Sequence, residues 1–338
     1  MSKFLLSLVL LLITACQNTT PPTQIDSSGN DTSQLENTSW VFVANEGTYG
    51  ASNGSISMID EYGNIYETEA IGDVVQSIAV YGDKLIAIVN NSHEIKVYDI
   101  TYEGLSMPGI AISTEESSPR EMVVLDGMVY FTNWNTSDVK VLNLYTYNID
   151  TSIPVGSMPE GIITDGTYIW VANSGGTTLS KINTTDYSVE SIEVGQGPQN
   201  LVKHNDAVYV SRTFYNDNWT ETYHGATKID GEITIKNYGI GVACGGSVLI
   251  HNSDVMRSFE GGLARMDSEL NLEEVTIGNF SQSQVYHVEK INNNFWFAIT
   301  DYEDLNEVHV LDSSGSSVSV YDVGQNPGDF AVWPNEVQ

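Results

Sequence analysis

The sequence predicts an all-β fold, a seven-bladed β-propeller of four-stranded blades closed by pairing of the C-terminal strand with the first blade. Three observations lead there. An apolar run ending in a small or polar residue returns seven times, a second run ending in Asp or Asn follows each copy, and the last apolar strand has no successor. Repetition at a fixed period decides the fold before local propensity does.

The apolar runs span residues 40–45, 85–90, 129–133, 169–173, 208–212, 248–252 and 296–300. They recur about 42 residues apart, the length of one propeller blade. Leu85-Ile86-Ala87-Ile88-Val89 is apolar throughout, as expected of a strand covered on both faces, and packed blades give that double cover. The second runs, 55–60, 94–99, 138–143, 178–183, 225–230, 262–267 and 307–312, alternate as half-buried strands do. Outer strands run into Gly and Pro turns such as Val194-Gly195-Gln196-Gly197-Pro198, after which innermost strands begin, as in 76–81 and 121–125. Residues 329–333 form such an innermost strand with nothing after it, while the first repeat lacks one of its own. Pairing the two closes the ring and removes two exposed edges. Helix content is expected to be close to nil.

Of 338 residues, 44 are acidic and 13 basic, a formal net charge of −31. Such a surface repels phosphates at long range, which excludes nucleic acid and anionic lipid headgroups as partners. Apolar residues make up 41%, with 18 Tyr, 6 Trp and 9 Phe, so the acidity belongs to a folded surface. Cys16 and Cys244 lie in unlike contexts and form no disulfide framework. The apolar stretch 4–13 behind Lys3 falls short of the roughly 20 residues of a spanning helix and reads as an export signal. It ends in Ile13-Thr14-Ala15-Cys16, which resembles a bacterial lipobox. That resemblance implies cleavage before Cys16, acylation of its thiol and attachment to a membrane. Residues 17–38 carry only Ile25 and Leu35 as large apolar side chains, too few to offset the entropy of ordering. The expected organisation is a signal peptide over 1–15, a lipidated Cys and flexible tether over 16–38, and a propeller over 39–338.

Loops joining the second strand to the third share one face of a propeller with those leading into each innermost strand. By the spacing of the runs they are longest in repeats 5, 6, 7 and 1, which become neighbours once the ring closes, and uneven long loops on one rim are where function is sought. These loops are aromatic: Tyr49 in the first, Phe214, Tyr215, Trp219 and Tyr223 with His224 in the fifth, Arg257 and Phe259 in the sixth, and Tyr302 in the seventh. Flat, stiff side chains with polar tips suit a large, partly apolar ligand or a protein partner. Phe214 and Tyr223 could equally pin a long loop to its blade. Arg120 and Trp134 fall on the same face in another repeat, whereas Trp170 and Trp296 lie within strands and are expected to pack between blades. Cys244 is expected to be a buried thiol where an innermost strand passes.

No zinc-protease, nucleophile-elbow or paired-cysteine motif occurs, so no catalytic residue and no required cofactor or metal is expected. His93 and His224 on the loop face could ligate the metal of a bound ligand. Asp301-Tyr302-Glu303-Asp304 lacks the pattern of a calcium loop and reads as a solvated charge run.

The stretches Trp170-Val171-Ala172-Asn173, Leu179-Ser180-Lys181-Ile182-Asn183 and Val194-Gly195-Gln196-Gly197-Pro198 resemble the YVTN-type seven-bladed propellers, a likeness extending over about residues 40–333. More narrowly, Val43-Ala44-Asn45-Glu46-Gly47-Thr48-Tyr49-Gly50, Gly54-Ser55-Ile56-Ser57 and Gly72-Asp73-Val74-Val75-Gln76-Ser77-Ile78 look like the opening of surface lipoprotein propellers that accompany TonB-dependent transporters. Among these are cobalamin-capturing lipoproteins of gut bacteria. The resemblance implies a non-catalytic lipoprotein at the outer membrane, on the cell surface, that captures a nutrient such as a corrinoid and passes it to a transporter. Two other readings stand beside it: an interaction or adhesion module without a small-molecule ligand, and a propeller lyase or lactonase. The last would need a compact group of His and acidic residues at the central channel.

Overall fold

The computed structural model describes residues 38–241 and 246–334. The signal peptide, Cys16, most of the tether and Cys244 lie outside the described residues. The described chain forms seven antiparallel sheets of four strands, one of them with a short extra strand, and contains no helix. Blades 2 to 4 comprise Val75–Tyr81, Lys84–Val89, Glu94–Thr101 and Ile110–Ser113; Pro119–Leu125, Met128–Asn133, Asp138–Asn143 and Asn148–Pro154; and Pro159–Thr164, Tyr168–Asn173, Thr178–Asn183 and Val189–Glu193. Blades 5 to 7 comprise Pro198–His204, Ala207–Tyr215, Thr222–Ile229 and Ile233–Ile240; Val248–His251, Asp254–Phe259, Gly262–Met266 and Leu272–Ile277; and Val285–Ile291, Asn294–Thr300, Asn306–Leu311 and Ser317–Asp322.

Blade 1 is built from both ends of the chain: Pro327–Pro334 is its innermost strand, followed by Thr38–Asn45, Ser55–Asp60 and Ile65–Glu67. Val41, Phe42 and Val43 pair with Val332, Ala331 and Phe330. The expected closure is therefore present. Burying Phe330 between blades 1 and 7, beside Val41, Val43 and Trp296, adds on the order of 2 kcal/mol to it. Apolar clusters fill the gaps between neighbouring blades, and Leu85 through Val89 are all inaccessible to water. Trp170 and Trp296 are buried in such clusters, with Trp296 stacked on Tyr321.

The Asn that ends several second strands has a physical role. Asn45 Nδ2 donates to Ser55 Oγ at 3.1 Å and Ser57 Oγ at 2.9 Å, and Asn173 Nδ2 donates to Thr178 Oγ1 at 3.0 Å and Ser180 Oγ at 3.1 Å. Each buried amide locks the second strand to the third, because its donors find no water there. The Gly-Pro step before an innermost strand is equally constrained. Gly197 has φ +63° and lies so close to the Thr213 carbonyl that no side chain fits.

Blade 6 corrects the sequence reading. Residues 248–251 are its innermost strand, not its second, and the chain turns at Asn252 and Ser253, both at positive φ, into Asp254–Phe259. The true second strand does not show as an apolar run because the buried Arg257 interrupts it. Its connection to the third strand is a two-residue turn, Glu260-Gly261, at φ +48° and +80°. Blade 6 thus has the shortest rim connection. The extended loops are 46–54, 216–221 and 301–305, so blade 5 is separated from blades 7 and 1 instead of joining them in one quadrant.

Candidate functional site

The innermost strands start at the loop face and run down the ring axis, bringing polar residues together in tiers. The second residues of six of them are Gln76, Arg120, Glu160, Gln199, Tyr286 and Gly328; the third are Ser77, Glu121, Gly161, Asn200, His287 and Asp329. In the upper tier Arg120 Nη2 donates to Glu160 Oε1 at 2.7 Å, Nε reaches both carboxylate oxygens at 3.2 Å, and Nη1 donates to Gln76 Oε1 at 2.5 Å. Trp134 lies under the guanidinium, 4.2 Å from ring centre to Cζ, and its Nε1 donates to Glu160 Oε2 at 2.7 Å. This bidentate pair with cation–π support is of the strong kind. Burial alone would lower the guanidinium, but the Glu160 carboxylate holds it above its ordinary value. Glu46, from the loop behind Asn45, accepts from Gln76 Nε2 at 3.4 Å. Burial raises its carboxyl to about 7, against the opposing hydrogen bond of Tyr286 and charge of Arg120.

Below this network the balance of charge changes. A cavity of about 490 Å³ is framed by the innermost strands of blades 5, 6, 7 and 1. It receives His287 and Glu289, two residues apart and so on one face of their strand, and Asp329 from the next strand. Burial pushes Glu289 up to about 8, with the Asp329 charge adding to the effect, and raises Asp329 to about 6. Glu121 beside them is held well above the carboxylate range by burial and then by Asp329. Burial keeps His287 neutral, its imidazolium form disfavoured down to about 4. Among the described residues no ion pair joins Glu289 or Asp329 to a base.

The rim holds a second feature. The hairpin of blade 5 projects two aromatic pairs: Phe214 on Tyr223, stacked at 5.8 Å, and Tyr215 against Trp219 at 5.3 Å. Trp219 is 67% exposed at the turn, with φ +58°. Tyr302 meets Tyr286 edge-on at 5.8 Å, linking the blade 7 loop to the upper tier.

The sequence candidates therefore separate into groups. Arg120 and Trp134 meet at the channel mouth; Phe214, Tyr215, Trp219 and Tyr223 share the blade 5 hairpin; Tyr49 stands 55% exposed on the blade 1 loop. His93 is tied down, its Nδ1 accepting from Ser118 N at 3.1 Å. Six of the candidates, Phe214, Tyr215, Tyr223, His224, Arg257 and Phe259, are not loop residues. They lie in strands, His224 and Arg257 buried between blades 5 and 6, with His224 stacked on Phe259 and lowered to about 4 by burial and the Arg257 charge. His93 and His224 do not converge on one metal centre, being in blades 2 and 5. Sequence reasoning missed Glu46, Glu160, Tyr286, His287, Glu289 and Asp329. The available signal was a polar or charged residue at the second or third position of several innermost strands, as in Pro119-Arg120-Glu121, Pro159-Glu160-Gly161 and Pro327-Gly328-Asp329.

No protein-family model matches the sequence, and a search of curated proteins finds no match. Solved structures do share the fold. A functionally unknown protein from Desulfotomaculum acetoxidans is similar at TM-score 0.63 and 13% identity, over 88% of this chain and 99% of that one. A provisional 6-phosphogluconolactonase from Bacteroides uniformis is similar at TM-score 0.62 and 13% identity, over 87% and 99%. AztD from Citrobacter koseri is similar at TM-score 0.57 and 11% identity, over 88% and 98%. Likeness at this identity establishes the propeller and leaves function to the site.

Proposed function

We propose that this propeller captures a nutrient ligand on its loop face, without transforming it, and passes it to an outer-membrane TonB-dependent transporter while tethered through a lipid at Cys16. The ligand class is the one implied by the sequence resemblance, a corrinoid such as cobalamin. One observation carries the reading. The blade 5 hairpin presents flat aromatic area to solvent, with Trp219 at its tip and Tyr215 behind it, on a face where loop residues are free to meet a ligand. Gel filtration of the purified protein with cobalamin tests it: corrinoid absorbance should elute with the protein, and free elution overturns the corrinoid assignment. Trp219→Ala and Tyr215→Ala should each weaken retention by about tenfold, the cost of an aromatic anchor.

A second reading, a lyase or lactonase, draws support from the group of His287, Glu289 and Asp329 in the channel. Turnover of a lactone substrate by wild-type protein, abolished by His287→Ala, would favour it over capture.

A further inference from the structure

We propose that the central channel holds a divalent transition-metal cation between His287, Glu289 and Asp329. One donor atom from each lies within 4.8 Å of the others, and small side-chain rotations would bring them within the roughly 4.4 Å that two ligands at bond lengths of about 2.0–2.2 Å can span. The three come from two adjacent innermost strands, of blades 7 and 1, so the closure of the ring assembles the site.

Three features favour an ion over a fortuitous meeting of side chains. Glu289 Oε2 is buried and has no hydrogen-bond partner, and such an atom costs free energy unless something satisfies it. Asp329 is already aimed: its Oδ2 accepts from Ile78 N at 2.7 Å and its Oδ1 from Phe330 N at 2.9 Å, the outer-shell support that ligating carboxylates use. The arginine at the channel mouth, Arg120, is committed to Glu160, and among the described residues no base pairs with Glu289 or Asp329. Two carboxylates and one neutral imidazole cancel the charge of a divalent cation. The mixed nitrogen and oxygen donors select zinc, manganese or their neighbours over calcium and magnesium, which prefer all-oxygen sets. The adjoining cavity has room for water at the remaining coordination positions.

The test uses metal alone, with no corrinoid and no transporter, so it stands or falls apart from the capture reading. Purified protein is stripped with chelator and titrated calorimetrically with Zn²⁺, then with Mn²⁺ and Ca²⁺. One equivalent of Zn²⁺ or Mn²⁺ should bind saturably and raise the melting temperature, with Ca²⁺ weaker. Glu289→Gln, which keeps the volume and the strand, should lose about 10–100-fold in affinity, and His287→Ala at least as much. Circular dichroism and apo melting temperatures close to wild type identify both variants as folded. Absence of saturable binding by wild-type protein, tighter binding of Ca²⁺ than of Zn²⁺ and Mn²⁺, or unchanged affinity in folded Glu289→Gln would each overturn the proposal.

Discussion

Two guanidiniums in this propeller, one partly and one fully buried, are treated in opposite ways. Arg120, at the channel mouth, is held by Glu160, Gln76 and the face of Trp134. Arg257, wedged between blades 5 and 6, is fully buried, meets no carboxylate among the described residues, and has Nε and Nη1 without partners. Its Nη2 reaches only Arg212 O at 3.5 Å, and its Cζ lies 5.5 Å from the Tyr238 ring. Burial lowers it to about 10. Burial alone thus does not mark a site. Arg120 sits in a network open to the loop face, where its partners align side chains around a mouth; Arg257 is filler between strands, stabilised by contact area and ring faces more than by charge.

The largest effect should come from separating Arg120 from its partner. Arg120→Met leaves Glu160 as a mostly buried carboxylate with only Trp134 to satisfy it, and breaking such a pair from one side costs about 3 kcal/mol. Urea unfolding midpoints would show it. A loss below about 1 kcal/mol would mean that the pair is solvated like a surface ion pair.

The pH dependences of the two regions should have opposite sign. Glu46, facing Tyr286, Arg120, Gln76 and Glu160, has a folded pKa of about 7 against an ordinary value of 4.5. The folded state therefore binds its proton more tightly, and its contribution is fully present below pH 4.5 and lost as pH rises through 7. The penalty at pH 8 is on the order of 3 kcal/mol, so Glu46→Gln should gain stability over wild type between pH 5 and 8. His224, facing Arg257, Tyr238 and Phe259, is depressed to about 4. Its contribution is fully present above pH 6.5 and lost as pH falls through 4, so His224→Phe should flatten acid destabilisation in that window. Difference melts of each variant against wild type isolate the two slopes, and parallel curves would refute either assignment.

Much of the fold could be anticipated from the sequence, whereas the contrast between Arg120 and Arg257, both of which fall on the loop face by spacing, could not, and the difference has a physical cause. Blade number, strand kinds and closure follow from apolar runs, because each strand is buried by its neighbours and must announce itself locally. Trp170 and Trp296 pack between blades, as their positions within apolar strands imply, for the same reason. Blade 6 broke the rule where Arg257 occupies a core position. The channel is different in kind: Glu46, Glu160, His287 and Asp329 are 46, 160, 287 and 329 along the chain, each looks like an ordinary residue near a turn, and only ring closure brings them to one axis. Arg120 and Trp134 stand out by residue type on the loop face, but nothing local points to Glu160 as their partner.

The smallest expected effect is the sharpest check on the comparison. Arg257→Met removes a buried charge while keeping most of the side-chain volume, and it strands no carboxylate among the described residues. Replacing a buried charge with an apolar residue of similar size is often neutral or stabilising. Unfolding midpoints should therefore lie within about 1 kcal/mol of wild type or above it, with the melting temperature unchanged or raised, while the chemically identical substitution at Arg120 is costly. A loss at Arg257 as large as that at Arg120 would mean that the guanidinium there also answers an anion, and the distinction between site and wedge would have to be redrawn.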